Sequence, residues 1–204
     1  MSKLHEVEIH RLRPTQITVG LIEVHDKRAR LESLKKHEQK EFLLAHAIPA
    51  VWGPDGKLYI TDHHHLGRAC EEAGIDTGFF MVEEDFSKLP IAQFWPRMSA
   101  SHWAHPIDQH GQQRSFELIP DHLTKLIDDP YRSLAGYVRD AGGYEKSPGA
   151  FCEFLWADFL PPAGIDRPDA RRFSGGSRLR PEARCIDRGS VPSWLQGSGE
   201  RLSR

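Results

Sequence analysis

The sequence predicts an α+β fold, with a small mixed sheet and its helices first and a helical part after them. Strand patterns, including a complete hairpin, are confined to the first 86 residues. From Ser87 onward apolar residues recur at helical spacing, interrupted by prolines. Strands that precede helices, rather than alternating with them, are typical of α+β domains.

The first elements are a strand and a helix joined by a proline-containing loop. Residues 5–9 alternate polar and apolar side chains, which indicates a short half-buried strand. Pro14 favours a loop after it, and Gly20 suggests a turn into the next packed segment. We expect Asp26 to cap the helix that follows. Whether the polar run 35–41 divides that helix is left open.

A hairpin followed directly by a helix is the clearest local pattern. Residues 48–52 and 57–61 predict two strands, and the intervening Gly-Pro-Asp-Gly predicts their turn. We expect a helix to begin directly after Asp62 and to end at Gly74, a typical C-cap residue. Leu66, Ala69, Cys70 and Ala73 would form its inner face.

The remainder of the predicted fold contains one more strand and several helices. Residues 78–83 predict a buried strand. The helical part after it is broken at Pro106, Pro120, Pro130 and Gly142-Gly143, and its last element spans residues 150–160. We therefore expect a core over residues 1–86, a helical extension over 87–160, and a separate C-terminal tail.

The tail, residues 161–204, differs in composition from the preceding sequence. It contains nine arginines, no lysine and five acidic residues, and is rich in proline, glycine and serine. Without apolar periodicity it cannot bury enough surface to offset its ordering entropy, so we expect it to be mostly disordered. A nucleic-acid-binding arm is the alternative to a solvated extension.

Composition excludes several classes of protein. No apolar run approaches the ~18 residues that a bilayer span requires, and no secretory leader is evident, so we expect a cytoplasmic protein. Three widely spaced cysteines without a CxxC pair do not indicate a disulfide framework or a cysteine-rich zinc site. A net charge of −2 is unlike that of a dedicated DNA binder.

The strand-to-helix turn at Asp62-His63-His64-His65 is the motif that points to chemistry. Backbone N–H groups at the start of a helix and the positive end of its dipole form an anion site. The imidazoles, with Arg68 one turn further on, add donors for a phosphate. Asp62 has two competing roles: it either caps the helix or helps to hold a metal beside the phosphate.

Two other interpretations of this motif are possible. Three consecutive histidines cannot converge on one zinc ion, because successive helix residues are rotated by ~100°. A two-histidine zinc site would need outside ligands, for which His102, His105 and His110 are candidates. Alternatively, the motif is an Asp-capped helix with solvent-exposed histidines and no ligand.

The motif and the segment before it resemble the ParB-like nuclease branch of the ParB/sulfiredoxin superfamily. The resemblance covers roughly residues 7–160. Its most specific part is Thr61-Asp-His-His-His65 after a short strand, and Arg13-Pro-Thr-Gln16 lies upstream. In that superfamily the corresponding turn binds phosphates of CTP or ATP. Its serine-kinase form, Asp-Gly-His-His-Arg, matches best at Asp62, His64 and His65, whereas His63 replaces a common glycine and Leu66 a common arginine.

The resemblance implies roles for four upstream residues. Glu23 becomes a candidate general base. Lys27 or Arg13 would neutralise developing phosphate charge, and Gln16 would orient a substrate. Sulfiredoxin chemistry is not expected, because His64 lies where that reaction requires a reactive cysteine. Cys70 and Cys152 lie among apolar residues, which is typical of inert buried thiols.

The resulting hypothesis is an enzyme that uses a nucleotide or phosphate site for phosphoryl chemistry. The reaction is either phosphodiester hydrolysis or transfer from a nucleotide to a small hydroxyl compound. The nucleotide would be ATP, ADP or CTP, and magnesium would neutralise phosphate oxygens. The alternative is a non-catalytic, nucleotide-gated or chromosome-partition module, but no helix-turn-helix pattern follows the motif. A scaffold that has lost its site is a third possibility.

Overall fold

Two sheets and five helices make up the described part of this computed structural model, which comprises residues 3–140, 154, 156 and 157. The strands are Lys3–Glu8 (β1), Leu12–Arg13 (β2), Thr18–Val19 (β3), Ile48–Trp52 (β4), Leu58–Ile60 (β5), Thr77–Asp85 (β6) and Ile127–Asp128 (β7). The helices are Leu21–Ser33 (α1), Lys36–Ala45 (α2), His64–Glu72 (α3), Ile91–Ala100 (α4) and Pro130–Asp140 (α5).

The larger sheet is mixed, as the sequence predicts. Its strand order is β1-β6-β4-β5-β2. The β4–β5 hairpin is antiparallel, with Ala50 opposite Ile60, and β1 is antiparallel to β6. The β4–β6 and β2–β5 pairs are parallel. The second sheet is a parallel pair of β3 and β7, which joins the loop after β2 to the start of α5.

The first helix begins earlier than the sequence indicates. Asp26 does not cap it but lies within α1, which begins at Leu21. The N–H of Leu21 instead donates to Oδ1 of Asp128, at 3.0 Å. A carboxylate more than 100 residues away thus supplies the cap, and local sequence could not reveal this partner. Helix α1 ends at Ser33, and the polar run 35–41 contains the N-cap Lys35 and the first turns of the separate helix α2.

Helix α3 packs one face onto the sheet, as its apolar spacing predicts. Leu66, Ala69 and Cys70 are buried, and they join one apolar cluster with β4, β5 and β6. Gly74 follows the helix with a φ of +66°, a conformation suited to its predicted C-cap role. Gly67 faces Leu123, whose Cδ1 would lie 3.1 Å from an added Cβ.

Strand β6 and the part of the chain after it differ from the sequence prediction in two respects, the burial of β6 and the presence of β7. Only Gly78 and Phe80 are buried in β6, so the expected buried strand is mostly half-exposed. Phe94 and Met98 of α4 join a second apolar cluster, which also contains Val51 of β4 and Tyr59 of β5. Strand β7 was not predicted, because two residues are too short for a periodic signal.

Several expectations fall wholly or partly outside the described residues. Of the helix expected over residues 150–160, only Phe154, Trp156 and Ala157 are described, and they are helical and buried. Cys152 and the tail 161–204 lie outside, and the boundaries at residues 86 and 160 remain predictions. No helix in the described ranges is long and apolar enough to cross a membrane.

Candidate functional site

Two adjacent histidines hold the loop 15–20 against the start of α3. His64 Nε2 accepts the backbone N–H of Thr15 at 3.1 Å, and His65 Nε2 accepts that of Gly20 at 3.1 Å. The Thr15 hydroxyl donates to the carbonyl of Ile60, at 2.8 Å. Both imidazoles are buried, with only 5% and 7% of each residue exposed. The helix start and this loop therefore form one connected corner.

These hydrogen bonds define the protonation state of both imidazoles. Because each Nε2 accepts a backbone proton, a neutral ring carries its own proton on Nδ1. Burial lowers the pKa of His64 to about 3, with Asp62 opposing and Arg132 adding to the effect. Burial also lowers the pKa of His65 well below its usual value, and the charges of Arg132 and Lys27 lower it further. Both rings are therefore neutral at physiological pH.

His63 occupies a backbone conformation that favours glycine. Its φ of 61° and ψ of 28° lie in the left-handed region, at the N-cap of α3. The resemblance noted above places glycine at this position, and this geometry supplies the physical reason. The His63 N–H donates to Oδ1 of exposed Asp62 at 2.6 Å. This bond does not cap α3, because the N-cap residue is His63 itself and no side chain among the described residues makes a capping hydrogen bond there.

Glu23 lies beside this corner and has one shielded carboxylate oxygen. Its Oε2 is 3.4 Å from His65 Nε2 and has no hydrogen-bond partner in the described part of the chain. Its Oε1 forms an ion pair with Lys27 Nζ at 3.2 Å. Because His65 Nε2 accepts the Gly20 N–H, it carries no proton that it could donate to Glu23 Oε2. The oxygen therefore stays without a hydrogen bond from the described residues.

Helix α5 completes the corner from a distant part of the sequence. An added Cβ at Gly20 would lie 2.4 Å from Ser133 Oγ, and one at Gly136 would lie 3.0 Å from Glu23 Oε2. Arg132, also on α5, is only 3% exposed, and its charge lowers the pKa values of both histidines. Just before α5, Oδ1 of Asp129 accepts the backbone N–H of Tyr131 in the first turn of the helix.

The other predicted phosphate-binding residues make contacts within the protein. The Arg13 guanidinium donates to the carbonyl of Asp121, and Gln16 Nε2 donates to the carbonyl of Thr18 at 2.7 Å. Arg68 pairs with Glu72 at 2.7 Å and also donates to a backbone carbonyl just before β7. These contacts tie loops and helices together, and the ligand roles of the three side chains remain predictions.

The described residues bear on two other possibilities, a zinc site built from several side chains and a reactive thiol. Among them, no group of three or more histidine, cysteine, aspartate or glutamate side chains is arranged to hold a metal ion. His102, His105 and His110 therefore do not complete a zinc site with the motif. Burial raises the pKa of the Cys70 thiol to about 12, as expected for an inert core cysteine.

Comparison with known proteins identifies the family. The family model described as "Putative ParB-like nuclease" matches residues 5–161, more than three quarters of the chain. The chain belongs to this ParB-like family. Protein Atu1540 from Agrobacterium tumefaciens is 38% identical in sequence, and its crystal structure has a TM-score of 0.74 to this one. The alignment covers 85% of this chain and 84% of that chain.

A second solved structure is much less similar. The C-terminally truncated chromosome-partitioning protein ParB from Caulobacter crescentus, complexed with CTP-gamma-S, is 15% identical, with a TM-score of 0.29. That alignment covers 81% of this chain and 73% of the partition protein. Structural agreement at this level supports no inference about the site. No curated protein matches the sequence of this ParB-like chain.

The structure adds residues to the site that sequence reasoning missed. Thr15 donates to His64, Ser133 lies against Gly20, and the charge of Arg132 acts on His65; none of the three belongs to the Asp-His-His-His motif. Asp129-Pro130 is a helix-start signal, because proline is favoured in the first turn. That signal locates the start of α5, but it does not show that α5 packs against α1.

Proposed function

We propose that this ParB-like protein binds a nucleotide through its phosphates at the histidine corner, with phosphoryl chemistry at Glu23. The observation that carries the proposal is the environment of Glu23 Oε2. This oxygen is shielded, lacks a hydrogen-bond partner in the described residues, and lies 3.4 Å from His65 beside the start of α3. A carboxylate in that position is suited to removing a proton from water or a hydroxyl group.

The charges around the corner support binding of an anion. Arg132 and Lys27 both lower the pKa of His65, so their positive charges act at the same place as the N-terminus of α3. Backbone N–H groups in the first turn of a helix suit phosphate oxygens, and a buried cation strengthens the attraction. The histidine side chains would then position the loop 15–20 around the phosphates.

Two reactions are compatible with this arrangement. In phosphodiester hydrolysis, Glu23 would take a proton from the attacking water. In transfer from ATP, ADP or CTP to a small molecule, it would take the proton of the acceptor hydroxyl. In both cases the oxygen that loses the proton forms the new bond to phosphorus, and the leaving oxygen retains the electrons of the broken bond.

Magnesium fits the donor set as a partner of the phosphates. Mg²⁺ is commonly held by one or two carboxylates together with phosphate oxygens and waters, so it needs no dedicated protein cage. Exposed Asp62, next to the start of α3, is the carboxylate that would hold it. When bound, the ion would neutralise charge on the phosphate oxygens.

Thermal-shift and turnover measurements test the proposal. We expect ATP, ADP or CTP with magnesium to raise the melting temperature, because a ligand that binds only the folded state stabilises it. The Glu23→Gln variant should lower turnover by about 10²- to 10⁴-fold while keeping nucleotide affinity within a few-fold. Glu32→Gln, in an exposed ion pair with Arg28 on the same helix, is the matched control.

The outcome also distinguishes the alternative, a nucleotide-gated module without turnover. That alternative is favoured by one observation: both histidine Nε2 atoms already hold the loop 15–20. Nucleotide binding without product formation in the wild type would support it. Retained turnover in Glu23→Gln would contradict the general-base role, and no thermal shift with any nucleotide or phosphate would contradict both functions. Tight, sequence-dependent DNA binding over a range of salt concentrations would favour a partition function.

A further inference from the structure

An arginine and a histidine contact the same aromatic ring beside the histidine corner. The Arg132 guanidinium carbon lies 3.3 Å from the centroid of the Phe154 ring. The His105 ring centroid is 3.5 Å from the same centroid, with the planes tilted by 47°. Phe154 is 8% exposed, so its planar ring is sheltered where it contacts both a guanidinium and an imidazole.

Arg132 and His105 each link this aromatic position to the proposed phosphate site. Arg132 exerts its charge on His64 and His65. The backbone N–H of His105 donates at 2.8 Å to the carbonyl of Thr15, whose own N–H donates to His64. Arg132 and His105 are therefore both coupled to the corner at which the phosphates are proposed to bind, one through its charge and one through Thr15.

Guanidinium planes and aromatic side chains are the surfaces on which proteins stack nucleobases. We propose that Phe154 occupies the nucleobase subsite of this protein, and that the base of a bound nucleotide displaces it from Arg132 and His105. The inference rests on the proposed function, because the phosphates must bind at the corner.

Calorimetric titration with ATP, CTP and tripolyphosphate separates the base from the phosphates. Phe154→Ala removes the competing ring, so we expect affinity for ATP and CTP to rise about fivefold to tenfold. Tripolyphosphate has no base, and its affinity should stay within about twofold. His105→Ala should weaken ATP and CTP about tenfold and spare tripolyphosphate. Arg132→Lys keeps the charge but not the plane, and should also weaken the nucleotides more than tripolyphosphate.

Control variants distinguish loss of the ring from loss of stability. Phe154→Leu keeps apolar volume without a planar ring and should show the same direction of change as Phe154→Ala. Phe116→Leu removes a half-buried ring that stacks on Trp95 in the separate α4 cluster, and should change no affinity. Unliganded melting temperatures identify any variant that is globally destabilised.

The possible results separate the two proposals. If the wild type binds nucleotide and tripolyphosphate but both Phe154 variants bind ATP and CTP no more tightly, the subsite is wrong and the proposed function stands. Weaker nucleotide binding in both variants would also overturn the subsite, because Phe154 would then support the site. If the wild type binds none of the three compounds, the proposed function fails and the subsite fails with it.

Discussion

Single imidazole nitrogens hold the loop 15–20 in place. His64 and His65 each act as a hydrogen-bond acceptor at Nε2, a role that only the deprotonated ring nitrogen performs. Burial lowers the pKa of both residues, and that of nearby His105 to about 3, with Arg132 contributing in each case. The charged form of each ring is therefore disfavoured in the folded protein.

The folded protein should lose stability as the pH falls below about 6.5. In the unfolded chain a histidine has a pKa near 6.5, so below that pH the unfolded state binds more protons than the folded one. The stabilisation is fully present above about pH 6.5 and is lost as the pH falls toward about 3. Each buried imidazole contributes up to about 1.4 kcal/mol per pH unit.

Urea unfolding between pH 7.5 and 5 measures this dependence. His65→Gln retains an acceptor at the position of Nε2 but does not titrate, so it should reduce the slope of unfolding free energy against pH by about one proton. His5→Gln, on β1, is a control outside the corner. Equal slopes in the wild type and His65→Gln would contradict the neutral-acceptor role of His65.

At the scale of secondary-structure elements, contact between α5 and the start of α1 positions Glu23. Gly20 precedes α1 with a φ of −78°, which any residue can adopt, so conformation does not require glycine here. The lack of space does require glycine, because an added Cβ would lie 2.4 Å from Ser133 Oγ and 2.6 Å from the Ser133 backbone nitrogen. The packing of α5 against this turn thus depends on the absence of a Cβ atom at Gly20.

Gly20→Ala should destabilise the protein by about 2 kcal/mol or more. The new methyl group meets the α5 backbone, which can move only if the helix moves. Gly136→Ala is the informative comparison, because its Cβ meets only the Glu23 carboxylate at 3.0 Å, and alanine favours a helix interior by about 1 kcal/mol. We expect Gly136→Ala to leave stability nearly unchanged and to lower turnover.

Denaturant unfolding and steady-state kinetics on the two variants test this difference. Equal stability of Gly20→Ala and wild type would show that α5 does not pack tightly on the turn. Unchanged turnover in Gly136→Ala would show that the position of Glu23 tolerates displacement, which would weaken its proposed role as the base.

At the scale of the whole molecule, the match to the family model ends at residue 161, and the amino-acid composition changes at the same point. We predict that removing residues 161–204 leaves the melting temperature within a few degrees of the full chain. Nine arginines and frequent proline, glycine and serine give this segment few apolar side chains to bury. The nucleotide-induced thermal shift should also be preserved.

Scanning calorimetry on the full and shortened chains measures both quantities. A large drop in melting temperature would show that the tail packs on the remainder of the protein. A lost nucleotide response with an unchanged melting temperature would instead assign the arginines to ligand binding, contrary to the solvated-extension hypothesis.

Local sequence was sufficient for the elements whose stability comes from neighbouring residues. The hairpin, α3, the Gly74 cap and the mixed α+β character were all predictable, because turn chemistry and apolar spacing act within about ten residues. The Asp-His-His-His motif also stood out by residue type, whereas Glu23 became a candidate only through the family resemblance. The strand β7 and the true start of α1 did not, since Asp128 and Ile127 stabilise them from across the chain.

By itself the sequence determined the local elements, the motif and the family resemblance of this protein. Tertiary structure alone decided that the histidines are buried acceptors, that α5 brings Arg132 and Ser133 to the corner, and that Phe154 covers the guanidinium. The physical reason is that burial and long-range hydrogen bonds set which atom of a side chain is available. A residue's type and spacing specify the chemistry it can perform, whereas only its partners in space determine what remains free to perform it.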